Sequence, residues 1–498
     1  MSEVGSSSGA DVSLPPNAEQ LINALRQIGY SFEQAISDIV DNCVNAKSRN
    51  VLIRLEYDES LVRRVLVADD GHGMTPALLD RAMRFGAHED STDRSLGKFG
   101  MGMKLASFSH AQTLSVATRS AGISAGRRWT VEGVSRNWTC ESISAQELSD
   151  MTASAALGGR RNGTIIEWSR IDRLRPGKNG VQALLTNLVA KLKVHLGLHF
   201  HRFIEDGRVA INIDSKFVGS DDVDRVVAVD ALNPFGYEVS GSSEFPKSFE
   251  VRLPEVGKLK ATAHIWPANS VIPQYRLGNR AAARQGFYFY RHDRLIQAGG
   301  WNGLVESEAE PHTSLARVCV ELPASMDGHF GLNVQKSLVI VPSSFAETIE
   351  RCQASDGTKF SSFRSTAEKV YRKKDARALA EYPLVPSGAI PIELARRSAG
   401  IFASGEKSRA VKIVWGDLED VGAVFEVDQK EMCIRLDSRI RKQLLGGRRA
   451  TATDLPFLKI LMFLLLENDV DRARTSSARK MYLERVNEVL RIALKYEG

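Results

Sequence analysis

One stretch, Val67-Ala68-Asp69-Asp70-Gly71-His72-Gly73-Met74, narrows the choice of folds more than any other part of the chain. The residues from Arg63 to Ala68 are apolar enough to form a buried strand, and they lead straight into two carboxylates and two glycines. Glycines one residue apart let the backbone turn sharply and approach a ligand closely. A carboxylate at the strand end, beside such a turn, is set to accept a hydrogen bond from a buried amino group. Alone, Asp-x-Gly-x-Gly is as often a plain turn. Its meaning depends on its neighbours.

Upstream, the pattern from Glu19 to Ala46 is helical, with Ile36, Ile39, Val40, Cys43 and Val44 at three- and four-residue spacing. Asp38, Asn42 and Asn45 share one face of that helix. Such an acid and amides can hold a water and a hard divalent cation beside a phosphate, although a polar stripe is usually just solvated. Downstream, Gly97-Lys-Phe-Gly100-Met101-Gly102-Met103-Lys104 runs into the apolar Leu105–Phe108. Glycines before a helix start expose backbone N–H groups to phosphate, and the helix dipole adds to the attraction. The loop is neither a Walker A motif nor a dinucleotide fingerprint. Strand-like runs follow at Thr113–Thr118, Arg128–Val134 and Thr164–Trp168, with a helix expected at Val181–His195. Helices and strands thus mix within one unit, which predicts a sheet layered on helices.

The order of these segments resembles the N, G1 and G2 boxes of the GHKL ATPases, the group of gyrase B, MutL, heat-shock chaperones, microrchidia (MORC) ATPases and histidine kinases. Gly163-Thr164-Ile-Ile166 resembles the element that closes the family's adenine pocket. The resemblance covers about Gln20 to Ile213. It implies an α+β chain: a two-layer α/β sandwich of the Bergerat type that binds ATP and Mg2+. By the same resemblance Asp69 accepts the adenine amino group, with Thr164 steadying it through water. Gly71, Gly73 and Met74 form the adenine turn, and Asn42 ligates the Mg2+. Gly97, Gly100, Met101 and Gly102 wrap the phosphates, with Lys104 close by. Asp38 stands where the family's general base is usually Glu; being one methylene shorter, it implies slow turnover.

Gly286-Phe-Tyr-Phe-Tyr290-Arg291-His-Asp293-Arg294-Leu-Ile296 looks like the strand–turn–strand that follows the ATPase domain in microrchidia-like proteins, and Gly331-Leu-Asn333-Val-Gln335-Lys336 resembles a transducer loop. Lys336 there supplies a point charge that senses the terminal phosphate. The expected layout is a tail at 1–18, the ATP-binding domain at 19–215, an S5-like transducer at 216–345 and a mainly helical C-terminal α/β region at 346–498. The resemblance further implies an ATP-dependent homodimer acting as a clamp, with DNA as one candidate partner. A chaperone-like or scaffold ATPase acting on polypeptide, or a switch with little hydrolysis, is the alternative.

Composition sets outer limits. With 43% hydrophobic and 25% charged residues, the chain matches ordinary globular proteins. Its longest apolar run, Ile460–Leu466, is far short of the roughly 20 residues that cross a bilayer. The polar start at Met1–Ala10 is unlike a secretion signal. Cys43, Cys140, Cys319, Cys352 and Cys433 lie far apart, as reduced thiols would. Together these predict a cytoplasmic protein, nuclear in a eukaryote. The net charge of +6, with clusters at Tyr371-Arg372-Lys373-Lys374 and Gly447-Arg448-Arg449, permits attraction to a polyanion without requiring it.

Overall fold

The structure is a computed structural model. It describes residues 17–496 apart from 28, 87–101, 137, 155–159, 221, 225, 255, 269, 279–280, 306–309, 327, 333–338, 382–383, 403–407, 419, 421, 430 and 471–476. The chain divides into two compact units, 1–371 and 372–498.

The first unit begins with α1 (Ala18–Arg26), α2 (Phe32–Asn45), β1 (Asn50–Tyr57), β2 (Val62–Asp69), α3 (Pro76–Met83) and α4 (Gly102–Phe108). It continues through β3 (Ala111–Ser120), β4 (Ile123–Thr130), α5 (Val131–Ser135), β5 (Glu141–Ser142), α6 (Ala145–Ser154) and β6 (Gly163–Ile171). Next come α7 (Gly180–His199), α8 (His201–Glu205), β7 (Ala210–Phe217) and β8 (Val227–Ala228). The strands form one mixed sheet in the order β5-β4-β3-β6-β2-β1-β7-β8. β1 pairs antiparallel with β2 and parallel with β7, the long return to β7 being made through the intervening helices.

β2 shows why the sheet holds two layers of packing. Its period-2 alternation sends Val65 and Val67 into the core with α2, α4 and α7, among Ile36, Ile39, Leu105 and Leu192. Leu66 and Ala68 go to the opposite face, into a smaller cluster with Met151 of α6 and Ile165 of β6. A strand buried on both faces needs a continuous apolar run, and β2 has one.

Two sequence expectations are corrected here. The helix expected over Glu19–Ala46 is two helices: α1 stops at Arg26, and α2 restarts behind a capping box in which Ser31 and Gln34 bond each other's backbone N–H. The strand expected over Arg128–Val134 ends at Thr130, whose hydroxyl accepts from Gly133 N–H at 2.9 Å and starts α5.

A second sheet completes this unit. Its elements are β9 (Lys247–Leu253), β10 (Gly257–Ile265), α9 (Pro273–Arg276), β11 (Gly286–Arg291), β12 (Arg294–Ala298) and β13 (Ala316–Glu321), with sheet order β12-β11-β13-β10-β9. β11 and β12 form a tight hairpin turning at His292 and Asp293, both at positive φ. The short ladder β14 (Gly331–Leu332) with β15 (Val339–Ile340) follows, then α10 (Phe345–Arg351) and α11 (Ser361–Glu381), of which residues 361–371 belong to this unit. Leu295, Tyr288 and Tyr290 of the hairpin pack on Leu198 of α7. Arg202 of α8 lies over the Tyr290 ring at 3.7 Å and bonds Glu321 at 2.6 Å.

The unit 372–498 holds its own core. β16 (Leu384–Ser387), α12 (Ile392–Phe402), β17 (Arg409–Gly416), β18 (Phe425–Asp428), β19 (Cys433–Asp437), α13 (Ser438–Leu445), α14 (Pro456–Val470) and α15 (Ser477–Ala493) follow in order. The sheet order is β16-β17-β19-β18, and Ile413, Ile434 and Phe463 sit in its core. All five cysteines are free thiols. Among the described residues, no helix is long and apolar enough to cross a membrane.

Candidate functional site

The alternation that points Val65 and Val67 at the helix layer also points Asp69 there. Cross-strand partners share a face, and the registers Asp69↔Thr164 and Thr164↔Thr118 set three polar side chains in one row across β2, β6 and β3. All three are buried. The two threonine hydroxyl oxygens are 3.1 Å apart, and the Thr118 hydroxyl donates to the Gly163 carbonyl at 3.1 Å.

The turn after β2 is locked onto that row. Gly71 N–H donates to Asp69 Oδ1 at 2.8 Å, and Met74 N–H donates to Thr118 Oγ1 at 2.9 Å. Gly73 has φ +66°, and a Cβ there would sit 2.0 Å from the Arg119 carbonyl oxygen. A Cβ on Gly71 would meet the Ala46 carbonyl oxygen at 2.7 Å. Both positions exclude a side chain for reasons of space, and Gly73 also for conformation. Asp70 points the other way and works on the fold: its carboxylate accepts from Ser48, from Arg49 and Asn50 N–H, and from Arg160. Against the cost of burial, the Asn50 side-chain amide, with the Asn50 and Arg49 N–H groups and the Ser48 hydroxyl, holds it well below the usual carboxylate range.

Burial does the opposite to Asp69, raising its pKa to about 6 against the pull of the Gly71 N–H and the Cys43 thiol. Cys43 lies on α2, its own pKa raised by burial and by the Asp69 charge. α2 therefore touches the Asp69 row at Cys43. Five residues back on the same helix, about 7.5 Å along its axis, is Asp38. That carboxylate is buried and accepts from the Tyr30 hydroxyl at 3.1 Å. Burial and the Asp38 charge raise the Tyr30 pKa. The same Asp38 oxygen, Oδ2, also faces the start of α4, where a Cβ on Gly102 would stand 3.7 Å away. Asn42 is exposed on the helix between the two ends.

The sequence-derived residues thus fall into two groups joined by one helix. Asp69, Gly71, Gly73, Met74 and Thr164 make one end; Asp38 and Gly102 make the other, with Asn42 between. Lys104 is buried on α4, its Nζ 5.7 Å from the centre of the Phe85 ring. Gly97, Gly100, Met101 and Lys336 lie outside the described residues. Thr118, Tyr30 and Cys43 were missed. A threonine in a strand is ordinary and Cys43 reads as core; Tyr30 precedes its helix, so only the fold shows what each touches.

The site can accept a flat donor-bearing group at Asp69 and an anion at the Gly102 end, where a helix begins. Residues 30–164 match the family described as "Histidine kinase-, DNA gyrase B-, and HSP90-like ATPase", a span that contains both ends of the site. A comparison with curated protein sequences returns no match. Among solved structures, the N-terminal domain of a DNA repair protein aligns over 72% of this chain and 99% of its own, at 13% identity and a TM-score of 0.40. The family match and the geometry agree on one point: residues 30–164 form a GHKL-type domain of the histidine kinase, gyrase B and HSP90-like ATPase group.

Proposed function

We propose that this chain binds ATP with Mg2+, hydrolyses it, and uses the cycle to close and open a clamp of two copies around DNA. The observation that carries the reading is the buried row Asp69–Thr164–Thr118 beside a turn with no room for a side chain, linked by α2 to a second carboxylate at Asp38. A carboxylate with its pKa raised to about 6 by burial stands ready to gain a donor, and the adenine amino group is one.

In this reading Asp69 accepts the adenine amino group, Gly71, Gly73 and Met74 shape its pocket, and Thr164 assists through water. Asn42 holds the Mg2+, which when bound neutralises charge on the phosphate oxygens. Gly97, Gly100, Met101, Gly102 and Lys104 attend the phosphates, and Lys336 senses the terminal one. Asp38 takes the proton of the attacking water while the Tyr30 hydroxyl holds the carboxylate's direction. The second sheet is the transducer. DNA is favoured as the clamped partner by the net charge of +6 and by Arg448 and Arg449, both exposed beyond the end of α13.

Phosphate release by the wild type, Asp38→Glu and Asp38→Ala tests the chemistry. Loss of a general base lowers turnover by about 10²–10⁴-fold, so Asp38→Ala is expected to lose at least two orders of magnitude while still binding nucleotide. Asp38→Ala turning over as fast as wild type removes Asp38 from the mechanism.

A further inference from the structure

The second sheet meets the site helix at a buried guanidinium, that of Arg294. Arg294 opens β12 and is only 3% exposed. Its Nε donates to Asp41 Oδ1 at 2.7 Å and its Nη2 to Ser37 Oγ at 2.6 Å, while Nη1 donates to the Leu295 carbonyl. The guanidinium lies over the Phe200 ring at 4.4 Å, which fixes its plane. Ser37 and Asp41 are one turn apart on α2, and Asp38 and Asn42 each follow one of them directly.

Two further features border this contact. A cleft of about 410 Å³ opens between Gln34 near the start of α2, His195 and His199 of α7, and Ile296, Gln297 and Ala298 of β12. Beside the Arg294 contact, this cleft lies between Gln34 of α2 and Ile296–Ala298 of β12. The same strand is anchored again at Gln297, whose Oε1 accepts from Val339 N–H at 2.9 Å. Gln297 Nε2 donates to Asn302 Oδ1 at 2.7 Å, and Asn302 Nδ2 donates to the Val339 carbonyl at 2.9 Å. β12 thus holds α2 at one end and β15 at the other.

We propose that Arg294 is a positioning residue for the nucleotide site: through Asp41 and Ser37 it sets the rotation of α2 from the second sheet, and with it the aim of Asp38 and Asn42. The inference rests on the ATPase reading above. Two acceptors one turn apart on one face, gripped by a planar charged fork, hold that face against sliding and turning more firmly than one bond does. Side-chain tips on a helix lie roughly 5–6 Å from its axis, so a 20° rotation carries them about 2 Å. Misplacement by about 1 Å costs on the order of 10²-fold in rate.

The test compares wild type with Ser37→Ala, Asp41→Asn and Arg294→Lys. Ser37→Ala removes one arm of the fork without leaving a buried charge unpaired, so it stays folded even if the others do not. For each, kcat for ATP, the Kd of a non-hydrolysable ATP analogue and thermal stability are measured. Amide exchange at Gln297 and Val339 is followed with and without that analogue. The expected result is that kcat falls at least fivefold in Ser37→Ala and at least tenfold in Arg294→Lys, with Kd within threefold of wild type. Slowing of exchange at β12 and β15 by the analogue is lost in Arg294→Lys. A lowered melting temperature with kcat and the exchange response unchanged overturns the proposal and leaves Arg294 as packing. Wild type that neither binds nor turns over ATP defeats the ATPase reading instead, so the two failures are distinct.

Discussion

Burial raises the Asp69 pKa from 3.8 to about 6, and that shift has two consequences of opposite sign. For an acid whose folded pKa is raised, ionisation opposes folding: the cost is complete above about pH 6 and absent below about pH 4. A shift of this size is worth about 3 kcal/mol. Asp69→Asn, which still offers an oxygen to the Gly71 N–H, is expected to raise unfolding free energy by up to that amount at pH 8 and by nothing near pH 4, read by urea titration at both. The same substitution is expected to abolish adenine nucleotide binding. In wild type a proton competes with the adenine amino group for the carboxylate, so affinity is expected to be about tenfold weaker at pH 5 than at pH 8. Flat affinity across that range would remove the Asp69 carboxylate from recognition. Gly73→Ala faces both a left-handed φ of +66° and a carbonyl oxygen 2.0 Å from its Cβ, and is expected to cost at least about 2 kcal/mol in the same titration. Asp69 and Gly73 were legible in sequence because glycine and acid at fixed spacing mark a backbone constraint. Thr118 and Tyr30 were not, since their roles come from registers and side-chain directions that close only in the folded sheet.

At the scale of elements, α2 matters most because it reaches Asp69 at Cys43 and the start of α4 at Asp38. Its start is fixed by Ser31 and Gln34, and Ser31→Ala is expected to cost about 1 kcal/mol in a denaturant titration. Because Tyr30 adjoins that cap and bonds Asp38, kcat is expected to fall in the same variant by more than nucleotide affinity does. Equal and unchanged values would show that the cap serves folding alone. The Ser-x-x-Gln start signal was present in the sequence, yet the apolar periodicity that runs on either side of it hid the break after Arg26. At β4 the alternation carried on past Thr130, where a hydroxyl that bonds Gly133 N–H turned the chain into α5. In both places a cap outweighed a pattern. β2 posed no such conflict, because an apolar run buried on two faces and closed by a glycine turn has few other solutions.

For the molecule as a whole, the strands around Arg63–Ala68, Thr113–Thr118 and Thr164–Trp168 followed from apolar runs of strand length. The strand order β12-β11-β13-β10-β9 did not, because nothing local sets which distant strands become neighbours. The buried Arg294–Asp41 link joins residues far apart in the chain and was equally invisible. If the chain acts as a clamp, sizing is expected to show a dimer with a non-hydrolysable ATP analogue and a monomer without it. DNA affinity of that dimer should fall steeply with salt, and Arg448→Ala with Arg449→Ala should reduce the slope by about 2. A slope untouched by those changes would place the DNA contact elsewhere. We propose one site that takes adenine at Asp69 and phosphates near Asp38 and Gly102. Calorimetric titration of wild type and Asp69→Asn with ATP and Mg2+ tests it most directly. One site per chain in wild type and none in Asp69→Asn is the expected result; equal binding by both, or by neither, would contradict it.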